Sequence, residues 1–430
     1  MSERTRAHSE ILMEQEPISA SSTTNNFTSV RSTILRRVFG FYEPKLIGVL
    51  LGWFAAHPRY FWGAIRLARS IKQSNKTREK ASSDGLMVPP FLVLSITRTC
   101  NLHCVGCFAA AIGTTFNNPQ IERKNLAPHL RGDQWRKIIN EASDLGVFGF
   151  ILAGGEPFLF PGLVELCKEF EDRFFIILTN GTALTASTYE RLKHSTNIVV
   201  VVSIEGGEDL TDARRGQGVY LQAMETLERL STIGVPTGIS VTVTHVNCEY
   251  WMEQKHLDRL IDQGVHFGLF VEYISDTTHS DMNLSSILRP PDTTMSNDQS
   301  FPLTHEDRIR FRKRILQYRQ TEPLFIIHSP ADEEYFGGCV SAGQAFAHIT
   351  PAGDLTPCPV SNIATHNLVT SSLEDGLRSS LFEEIRNSDH LLEIEGVPCA
   401  LFAHPKEVED LVKKVGAYRT NHEYQSSLMK

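Results

Sequence analysis

Between residues 91 and 273 the chain repeats one pattern, a short apolar run rich in β-branched residues followed by a stretch with helical spacing. Residues 91–97, 147–153, 174–179, 198–204, 236–244 and 267–273 read as strands, and 133–145, 162–172, 186–194, 219–233 and 254–263 read as helices. Strands kept apart by helices cannot pair as hairpins, so this alternation specifies a parallel sheet with helices packed on it. Right-handed crossovers curl six such units into a partial, TIM-like (β/α)6 barrel of the α/β class. The chemistry of such a barrel gathers where its strands end.

The first strand ends in Cys100-Asn101-Leu102-His103-Cys104-Val105-Gly106-Cys107, three cysteines spaced C-x3-C-x2-C. Thiolates are soft ligands that suit iron–sulfur clusters and zinc. Three of them within eight residues fold around one polynuclear centre but leave a four-ligand site incomplete, so a closed zinc site needs His103 and a cluster does not. Other strands end in polar turns: Gly154-Gly155-Glu156-Pro157 after the second, Thr179-Asn180-Gly181-Thr182 after the third and Ser203-Ile204-Glu205-Gly206 after the fourth. Each alone reads as a turn; in register with the cysteine loop they form a candidate site. Gly154 and Gly155 let backbone approach a ligand closely, and Glu156 can accept hydrogen bonds from an ammonium group.

The cysteine loop and the strand before it resemble the radical S-adenosylmethionine (SAM) superfamily. The resemblance implies a [4Fe–4S] cluster held by Cys100, Cys104 and Cys107, with SAM chelating the iron that lacks a cysteine. It implies that Gly154, Gly155, Glu156 and Pro157 form the segment that binds the amino group of SAM. Ser203 with Arg215, or Arg214 in its place, would hold the carboxylate through the planar guanidinium fork. Asn180, Glu205 and Ser240 would line the ribose or the substrate. One position departs from the family: Gly106 stands where an aromatic residue is usual, and Phe108 follows instead. The implied activity is reductive cleavage of SAM to a 5′-deoxyadenosyl radical that removes a hydrogen atom from a substrate carbon. The electron would come from a donor such as flavodoxin or ferredoxin.

Past residue 273 the alternation ends. Residues 276–300 read as a polar loop and 305–321 as a helix, and three cysteines follow in Gly or Pro turns, Cys339, Cys358 and Cys399. Residues 346–349 and 354–356 flank Pro351-Ala352-Gly353 as a hairpin, and 374–387 and 406–414 read as closing helices. Cysteines of a core usually sit in apolar periodic segments, as Cys167 does; Cys248 has no ligand-like sequence neighbours, and both are assigned to structure. Beside a radical SAM core, the C-terminal three resemble a twitch or reduced SPASM domain. That resemblance implies a second [4Fe–4S] cluster on Cys339, Cys358 and Cys399, its fourth iron open, bound to substrate or closed by His404 or His348. Such a cluster would assist oxidation, cross-linking or sulfur insertion on a small-molecule, peptide or lipid substrate.

The expected domain plan is a disordered tail over 1–30, a basic amphipathic helical segment and linker over 31–85 and the barrel core over 86–275. A connecting loop and helix over 276–330, an auxiliary-cluster domain over 331–404 and a closing helix and tail over 405–430 complete it. A net charge of −8 argues against a general nucleic-acid binder, although residues 1–80 carry thirteen Lys and Arg against six Asp and Glu. Residues 1–16 lack an apolar signal region, which points to the cytoplasm, where eight cysteines read as ligands, nucleophiles or core residues. Residues 31–72 mix aromatic residues with Arg and Lys but hold no apolar run of the roughly 20 residues a spanning helix needs. Peripheral membrane contact through this segment is set against a pair of helices packing on the main domain, and packing is favoured. A zinc-stabilised scaffold or regulatory protein and a SAM enzyme running polar methyl transfer are the rival functions. The three-cysteine loop argues against both.

Overall fold

A computed structural model describes residues 52–111, 129–274, 301–394 and 396–420; the expected tail over 1–30 and the polar stretch 276–300 lie outside them. Strands β1 Phe91–Thr97, β2 Gly149–Gly154, β3 Phe174–Thr179, β4 Ile198–Ser203, β5 Thr237–Val243 and β6 Val265–Glu272 lie side by side in sequence order, all parallel. The helices of this part are α1 Arg59–Ser83, α2 Phe108–Ala111, α3 Gly132–Leu145, α4 Leu163–Glu169, α5 Ala186–Lys193, α6 Glu208–Arg215, α7 Val219–Thr232, α8 Cys248–Met252 and α9 Gln254–Asp262. Alternate strand residues bury toward the helices: Phe150 and Phe175 stack with ring centroids 5.3 Å apart, and Trp251 of α8 meets Phe270 of β6 edge to face at 5.4 Å. Each such side chain, fully buried, contributes about 1.5–3 kcal/mol.

The sheet extends past the six expected strands on both sides. After α10 His305–Thr321, whose start is fastened by a capping box between Thr304 and Asp307, β7 Phe325–Ser329 adds parallel to β6. This seventh strand falls where the sequence reading expected only a loop and a helix, because a five-residue run becomes a strand once the edge of β6 is beside it. At the other side β8 Phe346–Ile349 pairs parallel with β1, and β9 Asp354–Thr356 folds back antiparallel as the expected hairpin. The remaining elements are β10 Ile363–Ala364, β11 His366–Asn367 beside β9, α11 Leu373–Leu377, α12 Ser380–Arg386, α13 Ala400–Ala403, α14 Pro405–Val415 and β12 Tyr418–Arg419, which pairs with β10. Within the segment 331–404 the hairpin continues the barrel sheet next to the strand that carries the first cysteine loop.

The N-terminal segment is also reshaped. Residues 73–83, expected as linker, continue α1, since Lys, Arg, Gln, Glu and Ala sustain a helix and neither Gly nor Pro intervenes before Gly85. At 25 residues this helix is about 37 Å long, and it crosses the loops that lead into the strands. Arg59 donates to the carbonyls of Ile233 and Gly234 at 2.7 and 2.8 Å, Arg66 pairs with Glu171, Arg173 reaches Ser70 and Arg78 donates to Gly146 O at 2.6 Å. Two of those contacts place a cation on the C-terminal end of a helix, where the dipole favours it. Arg59, Arg66 and Arg78 thus serve packing on the end of the barrel opposite the cysteines, although Trp62 stays 72% exposed. No helix of the described residues is long and apolar enough to cross a membrane.

Candidate active site

The ends of β2 and β3 grip the chain just before and within the cysteine loop. Gly155 N donates to Thr97 O and Glu156 N to Thr99 O, both at 2.8 Å. A Cβ on Gly154 would lie 2.5 Å from Thr97 O, and one on Gly155 would lie 2.2 Å from Thr99 O. Both glycines are needed because the exit of β1 passes against them, so the close approach is between two stretches of the chain itself. Glu156, 1% exposed, accepts from Thr179 Oγ1 at 2.7 Å and Phe158 N at 3.0 Å on Oε1, and from Asn180 N at 2.8 Å on Oε2. Burial pushes its carboxyl pKa up against these donors. Its carboxylate ties β2 to β3 and caps the short turn opened by Pro157, and Oε2 alone keeps an unused lone-pair direction. Asn180 Nδ2 donates to Asn101 Oδ1 at 2.9 Å, and Asn101 Nδ2 returns a bond to Thr182 Oγ1 at 2.7 Å, which latches the loop between its first two cysteines.

The opposite side of the loop is held by cations at the end of α6. Arg214 O accepts from Val105 N at 2.8 Å, and its guanidinium reaches Gly106 O at 3.4 Å and Thr242 Oγ1 at 3.1 Å. Glu205, 1% exposed, is met by Arg214 and by Nε and Nη2 of Arg215 at 2.7 and 2.6 Å, while Thr242 N donates to its other oxygen at 3.2 Å. Arg215, expected to offer its fork to a ligand carboxylate, gives two of its donors to Glu205. The two arginines and one glutamate leave one excess positive charge beside the thiols. Ser203, the last residue of β4, is the register partner of Ser240 in the middle of β5, and both are half-buried.

Burial pushes the Cys100 thiol up to about 12, with Cys104, Glu156 and Cys107 adding to the rise. Burial also raises Cys104, while Arg215 and Arg214 pull it back. Cys100 and Cys104, thiols that resist ionisation unaided, stand with Cys107 beside two guanidiniums, a donor set that fits an iron–sulfur cluster, whose iron supplies the positive charge thiolates require. At Gly106 φ is +63°, and a Cβ there would meet Tyr273 Cε2 at 3.0 Å and its hydroxyl at 3.1 Å. The aromatic ring expected from the loop itself is supplied beside that position by Tyr273, just past β6; Phe108, the sequence substitute, is 48% exposed. Tyr273 was visible in the sequence only as the end of a strand.

The C-terminal cysteines also come together, with no disulfide among them. Burial drives the Cys358 thiol well up, with Cys399 and Cys339 adding to it, and lifts Cys399 to about 11. Cys339 N donates to Leu392 O at 2.7 Å and Ala342 N to Pro357 O at 3.0 Å, which pins the first cysteine turn to the segments carrying the other two. His348 is not available as a closing ligand. It is 1% exposed with both ring nitrogens engaged, Nε2 with Ser95 Oγ and Nδ1 with Thr356 Oγ1, each at 2.8 Å, and burial lowers its pKa to about 3. Thr356 Oγ1 in turn donates to Cys358 O at 3.1 Å, so a buried polar chain joins β1 to the second cysteine set. His404 sits at the start of α14, its ring 6.0 Å from that of His390.

Cys167 is fully buried in α4, as expected. Cys248 does have ligand-type neighbours, carboxylate oxygens of Glu249 and Asp307 within 4.8 Å. Asp307, however, is bound by Thr304 at 2.7 Å and His245 at 2.6 Å, and Glu249 by Arg310 at 2.7 Å, so capping and ion pairing account for the group.

The family model described as the radical SAM superfamily matches residues 94–255. Mycofactocin maturase MftC of Mycolicibacterium smegmatis is 30% identical over 321 residues, 70% of this chain and 74% of MftC. The sporulation killing factor maturation protein SkfB of Bacillus subtilis is 23% identical over 292 residues, 67% of this chain and 64% of SkfB, just under two thirds of that relative's length. Streptococcus suis SuiB shares the fold, with a TM-score of 0.56 at 20% identity over 74% of this chain and 72% of SuiB. A parallel partial barrel with a three-cysteine loop at its strand ends defines a radical SAM protein. The chain belongs to that superfamily and is an enzyme of the class that works with a [4Fe–4S] cluster and SAM.

Proposed function

We propose that this enzyme is a peptide maturase that removes a hydrogen atom from a residue of its substrate, with a second iron–sulfur cluster taking part in the oxidation or cross-link that follows. The observation that carries the reading is the cysteine loop, clamped at the strand ends of the barrel by Gly155, Glu156, Asn180 and Arg214. The substrate class is supported by relatives named as a maturation protein and a maturase, SkfB and MftC, and by the fold neighbour SuiB, solved bound to precursor peptide SuiA.

In this reading Cys100, Cys104 and Cys107 hold the cluster that binds SAM, and Cys339, Cys358 and Cys399 hold the second. When bound, the first cluster and SAM supply one-electron reductive cleavage of SAM and the radical that takes the hydrogen atom; a flavodoxin or ferredoxin supplies the electron. The residues of the chain position and balance charge. Asn101, Asn180 and Thr182 hold the loop in one conformation, and Arg214 and Arg215 offset the negative charge of bound thiolates. Gly154, Gly155 and Glu156 would be the residues that hold the ammonium of SAM. Its carboxylate falls to Ser203 and to the Arg215 donors that Glu205 leaves free. Tyr273 walls the site beside Gly106.

The test is anaerobic purification followed by iron and sulfide analysis, EPR and incubation with dithionite and SAM. About eight irons, falling to about four in Cys339→Ala/Cys358→Ala/Cys399→Ala, is expected, with 5′-deoxyadenosine released by the wild type and none by Cys100→Ala. Colourless, zinc-containing protein that leaves SAM intact would overturn the reading in favour of a scaffold.

A further inference from the structure

Three cysteines leave one iron of the second cluster without a thiolate, and His348 is committed to Ser95 and Thr356. Glu333 stands beside the turn of the first of these cysteines. It lies in the 3-10 turn Ala331–Phe336, which carries the chain from β7 to Cys339. Its carboxylate accepts hydrogen bonds from Val340 N at 3.1 Å and from Ser329 Oγ at 3.3 Å, and its charge bears on the thiols of Cys339, which donates to Ser341 Oγ at 3.3 Å, and of Cys399. The acids on either side are occupied elsewhere, Asp332 with Arg319 at 2.5 Å and Glu334 with Arg312. Among the described residues no cation pairs with Glu333.

A half-buried carboxylate beside the half-buried Cys339 thiol, with no guanidinium or ammonium to meet it, is costly unless a positive centre completes the group. Of three neighbouring acids, only the one facing the cysteines lacks such a partner. We propose that Glu333 is the fourth protein ligand of the second cluster, binding through a carboxylate oxygen the iron that Cys339, Cys358 and Cys399 do not reach. This rests on the reading of those cysteines as cluster ligands. It closes the cluster with protein groups, so that the substrate does not ligate it.

The test uses the full chain carrying Cys100→Ala/Cys104→Ala/Cys107→Ala, which retains the second cluster alone. Its iron content and the EPR spectrum of the reduced protein are recorded with and without ¹³C-cyanide, a probe that binds iron lacking a protein ligand. With Glu333 present, about four irons and no ¹³C coupling are expected. Glu333→Gln should keep the iron and gain ¹³C coupling, or lose the iron while Glu333→Cys keeps it, since a thiolate at 333 completes the same site. Coupling in the parent protein, or a Glu333→Gln protein that keeps its iron and still excludes cyanide, would overturn the assignment. Loss of iron from both Glu333 variants counts against it too. An iron-free parent, or iron unchanged when Cys339, Cys358 and Cys399 are also replaced, would instead overturn the cluster reading itself.

Discussion

Gly155 is identifiable as a site residue from sequence, yet the reason it must be glycine lies in Thr99. A methyl group placed 2.2 Å from the Thr99 carbonyl meets backbone, which cannot rotate aside, so the exit of β1 and Cys100 with it must shift. Gly155→Ala is expected to destabilise the protein by about 1–3 kcal/mol, the range of core overpacking, and to lower the iron bound on anaerobic purification; iron analysis and thermal melting measure the two effects. His348 makes a prediction of opposite origin. Its neutral ring is enforced by burial, so as pH falls from about 6.5 toward about 3 the unfolded chain takes up a proton that the fold refuses. Stability therefore falls with pH over that window, by about 1.4 kcal/mol per pH unit for one proton. His348→Gln should lose about 1–3 kcal/mol at neutral pH for its broken hydrogen bonds and show a shallower acid slope. Unfolding temperatures of both proteins at about pH 8 and about pH 5.5 test the sign; an unchanged slope would mean that another group sets it.

At the scale of elements, α1 shows how one side of a helix can be read and its partner missed. The basic and aromatic composition of 31–72 was compatible with a membrane interface or with packing, and composition has no means of choosing between them. For Arg59–Ser83 the packing is seen at Gly63, where a Cβ would lie 2.8 Å from that of Thr196, and in arginines placed on loop carbonyls. Gly63→Leu is expected to lower the unfolding temperature, at a cost of about 1–3 kcal/mol, whereas Trp62→Ser on the exposed face should change stability by less than about 0.5 kcal/mol. Equal effects of the two substitutions, measured by thermal unfolding, would show that α1 does not pack as described.

At the scale of the molecule, β8 lies beside β1, so both cysteine sets hang from one continuous sheet and are joined by Ser95, His348, Thr356 and Cys358 O. Replacing Cys339, Cys358 and Cys399 should therefore remove about half the iron and leave the barrel folded, because β8 is fastened to β1 by backbone bonds that need no metal. Far-ultraviolet circular dichroism of that variant checks the second half of the expectation.

What the sequence by itself determined is whatever repeats or clusters locally: the strand and helix alternation that dictates a parallel barrel, the three cysteines within eight residues, and the turn residues at successive strand ends. These are legible because hydrophobic period and ligand spacing act over a few residues. Only the tertiary structure decided that Tyr273 fills the space at Gly106, that Arg215 is drawn to Glu205, that β7 and β8 extend the sheet and that Glu333 lies beside the Cys339 turn. Those are contacts between separate elements and turns, selected by packing and by the need of charge for a partner, and no hydrophobic period or ligand spacing encodes them.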